Sequence, residues 1–220
     1  MKAKSYTTQE VLAVAVAVFE HNDHYVIRST TKMEDRVYVS NRQLISEYLD
    51  GSQRPFVVSK QHQDRALDIQ KYLEQTYIMQ NLRDGADRFL SQINLLCSQE
   101  KVTEKELGLM AWAPKVAVDY ERKDQVREVS ARYEYVSRYV GRLGETIETP
   151  FTLIDSRYIT SMDCWAVYGA DDDGNLIFYW AKNRDRVCET GSIRGRVKSH
   201  REDAYRNDAR VTALNYVKVL

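Results

Sequence analysis

Apolar residues in the first half of the chain recur at helical spacing. A capping box, Thr7-Thr8-Gln9-Glu10, precedes the apolar run Val11–Phe19, and this cap favours a helix over the strand that alternating Ala and Val would also allow. The same spacing predicts three more helices: Asn41–Leu49 (which Gly51 ends), Gln61–Leu73 and Asp87–Cys97. Short extended segments are predicted at Tyr25–Arg28 and Arg36–Ser40.

A longer amphipathic stretch follows Pro114, whose fixed φ angle suits the first turn of a helix. Apolar residues spaced three and four apart then define one helical face: Val126, Val129, Tyr133, Val136 and Val140. We predict one helix that continues to Gly141. A packed member of a helical bundle is the favoured interpretation, and a partner-binding coiled coil is the alternative.

The pattern changes near Gly144 to short alternating runs separated by turn residues. These runs predict five strands: Ile147–Tyr158, Cys164–Ala170, Asn175–Lys182, Gly191–His200 and Arg210–Leu220. Between the second and third, Asp171-Asp172-Asp173-Gly174 predicts a tight hairpin, because Asp-Gly supplies the positive φ angles that such a turn requires. Five short strands favour a small barrel that closes its own edges. The chain is thus predicted to be α+β, with a mainly helical region over residues 1–144 and a barrel over residues 145–220.

The composition excludes two classes of nucleic-acid-related protein. Lys and Arg number 32 and Asp and Glu number 32, so the chain is neither a histone-like polycation nor an acidic mimic of DNA. The longest apolar run is too short to span a membrane, and no signal-peptide cleavage site follows it. Three cysteines without CxxC spacing indicate neither a disulfide framework nor a zinc site, so a cytoplasmic location is expected.

Local motifs for catalysis or metal binding are not evident in the sequence. The three aspartates before Gly174 do not form an EF-hand loop, because Gly169 and Trp180 would occupy its first and twelfth positions. The glycine pairs Gly141–Gly144 and Gly191–Gly195 lack the GK[ST] of a phosphate-binding loop. We therefore expect no catalysis, no metal and no cofactor. A metal-dependent nuclease whose carboxylates come from distant segments stays an alternative.

Positive charge is concentrated near the carboxyl end. Between Lys182 and Lys218 there are ten Lys and Arg against five Asp and Glu. In the predicted fourth strand, period-two alternation places Ile193, Gly195 and Val197 on one face. The opposite face then carries Arg194, Arg196, Lys198 and His200, and Lys182, Arg184 and Arg186 alternate in the same way after the third strand. Such a row of cations can follow a phosphate backbone.

Aromatic residues lie close to these cations in the sequence. The second strand carries Trp165 and Tyr168, the third carries Phe178, Tyr179 and Trp180, and the fifth carries Tyr216. Rings beside a basic groove suit sequence-tolerant binding of single strands, because every base has a face that can stack. Some of these rings must also fill a small core, and the alternation leaves open which side of the third strand faces inward.

The carboxyl-terminal segment resembles an OB-fold-like module that recurs in phage-encoded replication and recombination proteins and in related prophage proteins. The matching pieces are, in order, Tyr139–Glu145, Trp165–Tyr168, Asp173–Asn175, Phe178–Trp180, Gly191, Ile193–His200 and Val211–Lys218. The most specific piece is the ending G-x-V-K-x-H … T-x-L. The resemblance implies an OB-like barrel that binds nucleic acid in a phage setting. The segment Asn183–Thr190 is too short for the helix that many OB-folds place there.

The leading hypothesis is a phage-type single-stranded nucleic-acid-binding protein that acts in replication or recombination without catalysis. DNA is favoured over RNA as its partner, a host or phage replication protein is a further partner, and the location is the host cytoplasm. The residues expected to neutralise phosphates are Lys182, Arg184, Arg194, Arg196, Lys198 and Lys218. The residues expected to stack on bases are Trp165, Tyr179, Trp180 and Tyr216. The alternative is a phage protein-interaction module that inhibits or recruits a host enzyme.

Overall fold

Two compact units make up the chain. The computed structural model describes residues 4–33, 35–83, 85, 87–203 and 208–220. The first unit is Met1–Glu121 and the second is Arg122–Leu220. Among the described helices, none combines the length and the apolar character that crossing a membrane requires.

The first unit is mainly helical, with short strands between its helices. Its elements in chain order are β1 (Ser5–Thr7), α1 (Thr8–His21), β2 (Thr31–Met33), β3 (Arg36–Tyr38), α2 (Asn41–Asp50), α3 (Lys60–Arg83), α4 (Arg88–Cys97), β4 (Lys101–Thr103), α5 (Leu107–Met110) and α6 (Ala113–Ala131), the last of which continues into the second unit. Strand β1 pairs antiparallel with β4, and β2 pairs antiparallel with β3. The mixed α+β content that the sequence predicts is confirmed.

Helix α1 is the centre of the first core. Its residues from Val11 to Phe19 are all buried, because α2, α3 and α5 pack around it. A helix that is apolar on every side can only be stable when it is enclosed in this way. The Thr7 side chain accepts a hydrogen bond from the Glu10 amide at 3.3 Å, which confirms the Thr7 half of the predicted capping box.

Two predictions for the first unit are wrong in detail. Residues Tyr25–Arg28 are not a strand, because side-chain groups of Asn41 satisfy their backbone instead. The Ile27 amide donates to Asn41 Oδ1 at 2.7 Å, and Asn41 Nδ2 donates to the Tyr25 carbonyl at 3.2 Å. Helix α3 continues past Leu73 to Arg83.

The helix predicted to reach Gly141 ends earlier, at Ala131. The following residues bind the sheet of the second unit. Ser137 Oγ donates to the Arg210 carbonyl at 2.6 Å and accepts from the Leu176 amide at 2.8 Å. The Val140 amide donates to Thr212 Oγ1 at 2.9 Å. These contacts require a non-helical backbone, and they explain why the second compact unit includes residues well before the predicted boundary at 144.

Five strands form a closed ring in the second unit. They are β5 (Thr146–Ile159), β6 (Cys164–Ala170), β7 (Leu176–Ala181), β8 (Thr190–Asp203) and β9 (Ala209–Val219). The order around the ring is β5-β6-β7-β9-β8, and every pair is antiparallel except β7 with β9. The ring closes because β5 pairs with β8 through Thr146–Thr152 and with β6 through Thr152–Ile159. All five strands were predicted from the alternation, to within a few residues at each end.

The predicted hairpin between β6 and β7 is present, with a positive φ angle at Gly174 and not at Asp173. The Gly174 amide donates to the Asp171 carbonyl at 3.0 Å, and the Asp171 amide donates to the Asn175 carbonyl at 3.0 Å. Gly174 has a φ of 79°, the left-handed conformation that glycine adopts without strain. A turn followed by one left-handed residue is a common three-residue hairpin connection.

The inside of the ring is the second hydrophobic core. Its buried members include Phe151, Val167, Ile177, Tyr179, Ile193, Val197, Leu214 and Val217. A smaller cluster, which includes Tyr168, Leu176 and Val211, lies on the opposite face of the strands. Tyr133 packs against this smaller cluster.

Replacing Gly169 with Ala should destabilise the second unit by about 2 kcal/mol or more. A Cβ atom at Gly169 would overlap the Phe151 ring, 2.6 Å from its Cε2, and the carbonyl oxygen of Thr152. The backbone oxygen cannot rotate away, so the strand pairing itself would have to shift. Chemical denaturation followed by tryptophan fluorescence checks this expectation.

The matched control is Gly108→Ala in α5. A Cβ at that position would lie 3.4 Å from Arg42 Cδ, which is ordinary van der Waals contact. Alanine is also the better helix former. Equal stabilities for the two variants would contradict the packing of Phe151 over Gly169.

Candidate nucleic-acid interface

Strand β8 separates its apolar and basic side chains onto two faces. Ile193, Gly195 and Val197 are buried inside the ring, and Arg194, Arg196 and Lys198 are exposed on its outer face. This arrangement follows the predicted alternation, since successive side chains of a strand point to opposite faces. Because apolar side chains fill the interior of the ring, the cations lie on its outer surface.

Strand β9 adds a cation to the same surface. Lys218 lies directly opposite Arg194, and on the other side of β8 the neighbour of Arg194 is Glu148. Like charges that face each other across two strands repel, so this pair favours a bound anion. In the described part of the chain, none of Arg194, Arg196, Lys198 and Lys218 forms an ion pair. We call these four residues the basic row.

Tyr216 is on β9 between Asn215, which faces Arg196, and Lys218, which faces Arg194. It is 82 % exposed and has a φ of 55°, because β9 bulges where Asn215 faces Arg196 and Lys218 faces Arg194. A left-handed tyrosine is strained, and such residues often cluster at functional sites. Arg196 is held in place by a hydrogen bond from Nε to the Gly144 carbonyl at 2.9 Å.

His200 does not continue the basic row, which corrects the predicted alternation. A bulge at Lys198 shifts the register of β8 by one residue, so the side chains beyond it exchange faces. The His200 ring instead stacks on Tyr139, with centroids 4.5 Å apart. The same shift brings Arg201, which strict alternation would place on the inner face, over the Phe178 ring at 4.6 Å. No local sequence signal marks the bulge.

Trp180 and Phe178 are on the outer face of β7, next to β9. Their ring centroids are 5.1 Å apart in an edge-to-face arrangement, and Trp180 is 41 % exposed. The last paired residues of β7 and β9 are Tyr179 and Leu214, so Trp180 comes one step further, as Asn215 does. Asn215 in turn faces Arg196. The register therefore places Trp180 on the strand next to that of Lys218 and two strands away from Arg196, on the same outer surface.

The prediction that Tyr179 stacks on bases is wrong, because its ring is part of the hydrophobic core. Its side chain is 1 % exposed inside the ring. Its hydroxyl donates to the Arg186 carbonyl at 3.0 Å and accepts from the Cys188 amide at 2.9 Å. Burial raises the pKa of this phenol to about 12. A ring enclosed in this way has no face to offer a base.

Trp165 and Arg184 form a separate cluster. The Arg184 guanidinium lies over the Trp165 ring at 5.0 Å and contacts Ser156 Oγ at 3.2 Å and the Glu189 carboxylate at 3.0 Å. Arg184 thus has partners already, although an ion pair this exposed is weak. Lys182 is exposed just after β7. These three predicted residues are not part of the basic row.

The arrangement suits binding to a flexible polyanion with flat groups. Unpaired guanidinium and ammonium groups can contact phosphates, and exposed rings beside them can stack on bases. Within the described residues, no three His, Cys, Asp or Glu side chains are grouped as a metal site would require. Comparison with protein-family models, curated proteins and solved structures finds no match to this chain.

Tyr179→Phe should lower the unfolding free energy of the second unit by about 1–3 kcal/mol. The variant keeps the ring but leaves the Arg186 carbonyl and the Cys188 amide without their partner. Trp180→Phe, which changes an exposed ring, should leave stability nearly unchanged. Urea denaturation of the three proteins checks the contrast.

The pH dependence provides a second test of the same position. The pKa of Tyr179 in the folded state, about 12, lies above the ordinary phenol value of 10.0, so the folded state keeps its proton to higher pH than the unfolded state does. The contribution of the protonated phenol to the unfolding free energy is therefore complete below pH 10 and is lost as the pH rises toward 12. The stability advantage of the wild type over Tyr179→Phe should therefore shrink across that interval. An advantage that stays constant would contradict the burial of the phenol.

Proposed function

We propose that the second unit is an OB-like barrel that binds single-stranded nucleic acid, DNA in preference to RNA, without catalysis. The strand order supports this proposal. A five-stranded ring with one parallel pair, between the third strand and the fifth, is the arrangement that an OB-like barrel requires. The connection between β7 and β8 contains only a short 3-10 turn at Arg184–Arg186, as its length predicts. A role in phage replication or recombination rests on the sequence resemblance.

The unpaired charge of the basic row is the observation that carries the proposal. Four cations share one surface of a chain whose net charge is zero, and none of the four has a carboxylate partner among the described residues. Concentrated charge without internal compensation is stabilised when a polyanion replaces its small counterions. Among the described residues that pair in register with the basic row, Glu148, which faces Arg194, is the acidic one.

The exposed rings suit the bases of such a strand. Trp180 is on β7 and Arg196 is on β8, with β9 between them, so their backbones are about 10 Å apart. A base stacked on Trp180 would leave its sugar and phosphate within reach of the basic row. Tyr216 offers a second ring beside Arg194 and Arg196. Stacking of this kind tolerates any base.

Replacing Arg194, Arg196 and Lys198 together with Ala should weaken binding to single-stranded DNA by at least about tenfold at low salt. The dependence of log affinity on log salt should also become shallower by about 2, because each lost phosphate contact on a single strand removes about 0.7 from the slope. Fluorescence polarisation with a labelled oligonucleotide at several salt concentrations measures both quantities. Duplex DNA and RNA of equal length compare the nucleic-acid classes.

The matched control is the triple change of Lys60, Lys71 and Lys105 to Ala. These lysines are exposed in the first unit, and their removal changes the net charge by the same amount. Only the triple change on β8 should reduce affinity and slope. If both triple variants bind equally, the basic row is not the interface. A host protein that copurifies after nuclease treatment, together with absent DNA binding, would favour the protein-interaction alternative.

The exposed rings should contribute to affinity by stacking on bases, and this contribution should not depend on salt concentration. Changing Trp180 and Tyr216 to Ala should each weaken binding to single-stranded DNA by about tenfold, with the salt slope unchanged. Tyr25→Ala, which removes an exposed tyrosine of the first unit, is the control. A ring variant that changes the slope but not the affinity extrapolated to high salt would contradict stacking.

A further inference from the structure

The first unit contains an open groove that combines two arginines with an aromatic wall. The groove has a volume of about 430 Å³, within the range of small-molecule sites. Its distinctive lining residues are Arg28, Arg42, Phe89 and Trp112, and Gly108 lies on its floor. The four side chains come from four places in the chain: the segment after α1, the first turn of α2, the first turn of α4 and the turn between α5 and α6.

The two arginines are on backbone that a buried side chain holds in place. Asn41, 1 % exposed, accepts at Oδ1 from the Ile27 amide at 2.7 Å and from Asn22 Nδ2 at 2.9 Å. The Asn41 amide donates to the Ile27 carbonyl at 3.0 Å. Arg28 directly follows Ile27, and Arg42 directly follows Asn41. The hydrogen bonds between these two segments therefore fix the backbone positions from which both arginine side chains extend.

The aromatic wall is equally defined. Phe89 and Trp112 meet edge to face, with centroids 5.8 Å apart and an angle of 83° between their planes. The Arg28 guanidinium lies over the Trp112 ring at 5.3 Å. At Gly108 the side chain is absent, and a Cβ there would touch the Arg42 stem at 3.4 Å. Glycine therefore leaves the groove open beside Arg42.

The charge of the groove is positive and uncompensated. Its lining includes two arginines and no carboxylate, and among the described residues neither arginine forms an ion pair. A second groove of the same unit, of about 420 Å³, has the reverse character. Its described lining includes Glu10 and Asp64 and contains no Lys or Arg. Only the first groove would attract an anion.

We propose that the groove formed by Arg28, Arg42, Phe89 and Trp112 binds a nucleoside phosphate. Guanidinium groups form paired hydrogen bonds with phosphate oxygens, and they also stack on flat rings. A base would lie against the Phe89 and Trp112 wall, and its phosphate would bind Arg28 and Arg42. The ligand is either a free mononucleotide or one nucleotide of a strand. The proposal concerns the first unit and is independent of the interface on β8 and β9.

Fluorescence of Trp112 can report binding directly. The chain has three tryptophans, and only Trp112 belongs to the first unit. In the full-length chain with Trp165→Phe and Trp180→Phe, all tryptophan emission comes from Trp112. Titration with adenosine monophosphate, excited at the red edge, should quench this emission to saturation. Adenosine without phosphate and inorganic phosphate without a base should each bind at least about tenfold more weakly.

Arg54→Ala is the matched control for Arg28→Ala and Arg42→Ala. Arg54 also lies over an aromatic ring of the first unit, that of Tyr48 at 5.4 Å, but outside the groove. Each groove variant should weaken nucleotide binding about tenfold, and the control should not change it. Gly108→Leu should fill the groove beside Arg42 and weaken binding although both arginines are retained in the chain.

Each outcome decides between specific alternatives. Absence of saturable quenching by adenosine monophosphate and by an oligonucleotide would overturn the proposal, as would equal binding by the groove variants and the Arg54 control. Inorganic phosphate that competes as well as the nucleotide would overturn the role of the rings. Quenching by an oligonucleotide alone would identify a strand as the ligand. Because the β8 triple variant keeps Arg28, Arg42 and Trp112, nucleotide binding at Trp112 should survive in it even if the proposed function fails.

Discussion

The parallel pairing of β7 with β9 is the contact on which the second unit depends. It joins the hairpin of β6 and β7 to the hairpin of β8 and β9, and the long β5 then closes the ring on the other side. Parallel pairing joins strands that are distant in the chain, so its cost in chain entropy must be offset by the packed interior. The same pairing places Trp180 on the strand next to Lys218 and Tyr216. The pairing of β7 with β9 therefore both encloses the hydrophobic core and assembles the candidate binding surface.

Burial and charge are separated by the two faces of each strand. On β8 the inward residues include Gly195, which lets Leu214 and Val217 pack closely, and the outward residues are cations. The interior has no capacity for unpaired charge, because removing an ion from water without a partner is costly. The uncompensated cations of both units consequently lie in the open: the basic row on β8 and β9, and the two arginines of the groove in the first unit.

Much of this architecture follows from local patterns, and what does not follow has physical causes. The five strands, the hairpin at Gly174 and the cap of α1 depend on residues close in sequence, and all were predicted. The end of the helix at Ala131 was not, because the competing partners of Ser137 and Val140 come from strands far along the chain. His200 lies on the other face of β8 because of a bulge, and a strict alternation of side chains does not predict a bulge. Tyr179 and Trp180 were ambiguous for a similar reason: both are aromatic neighbours on one strand, and only ring closure decides which points inward.

Closure of the ring has a consequence for how the second unit can associate. Open sheets expose backbone donors and acceptors along their outermost strands, and these recruit further strands from other molecules. In the closed ring each strand has a neighbouring strand on both sides, and β5 divides its length between β8 (Thr146–Thr152) and β6 (Thr152–Ile159). Assembly by backbone templating is thereby disfavoured, so any association of this unit would have to use the side chains of its outer surface. Because those side chains contribute little to the interior, substitutions there should change the chemistry of the outer surface without disturbing folding.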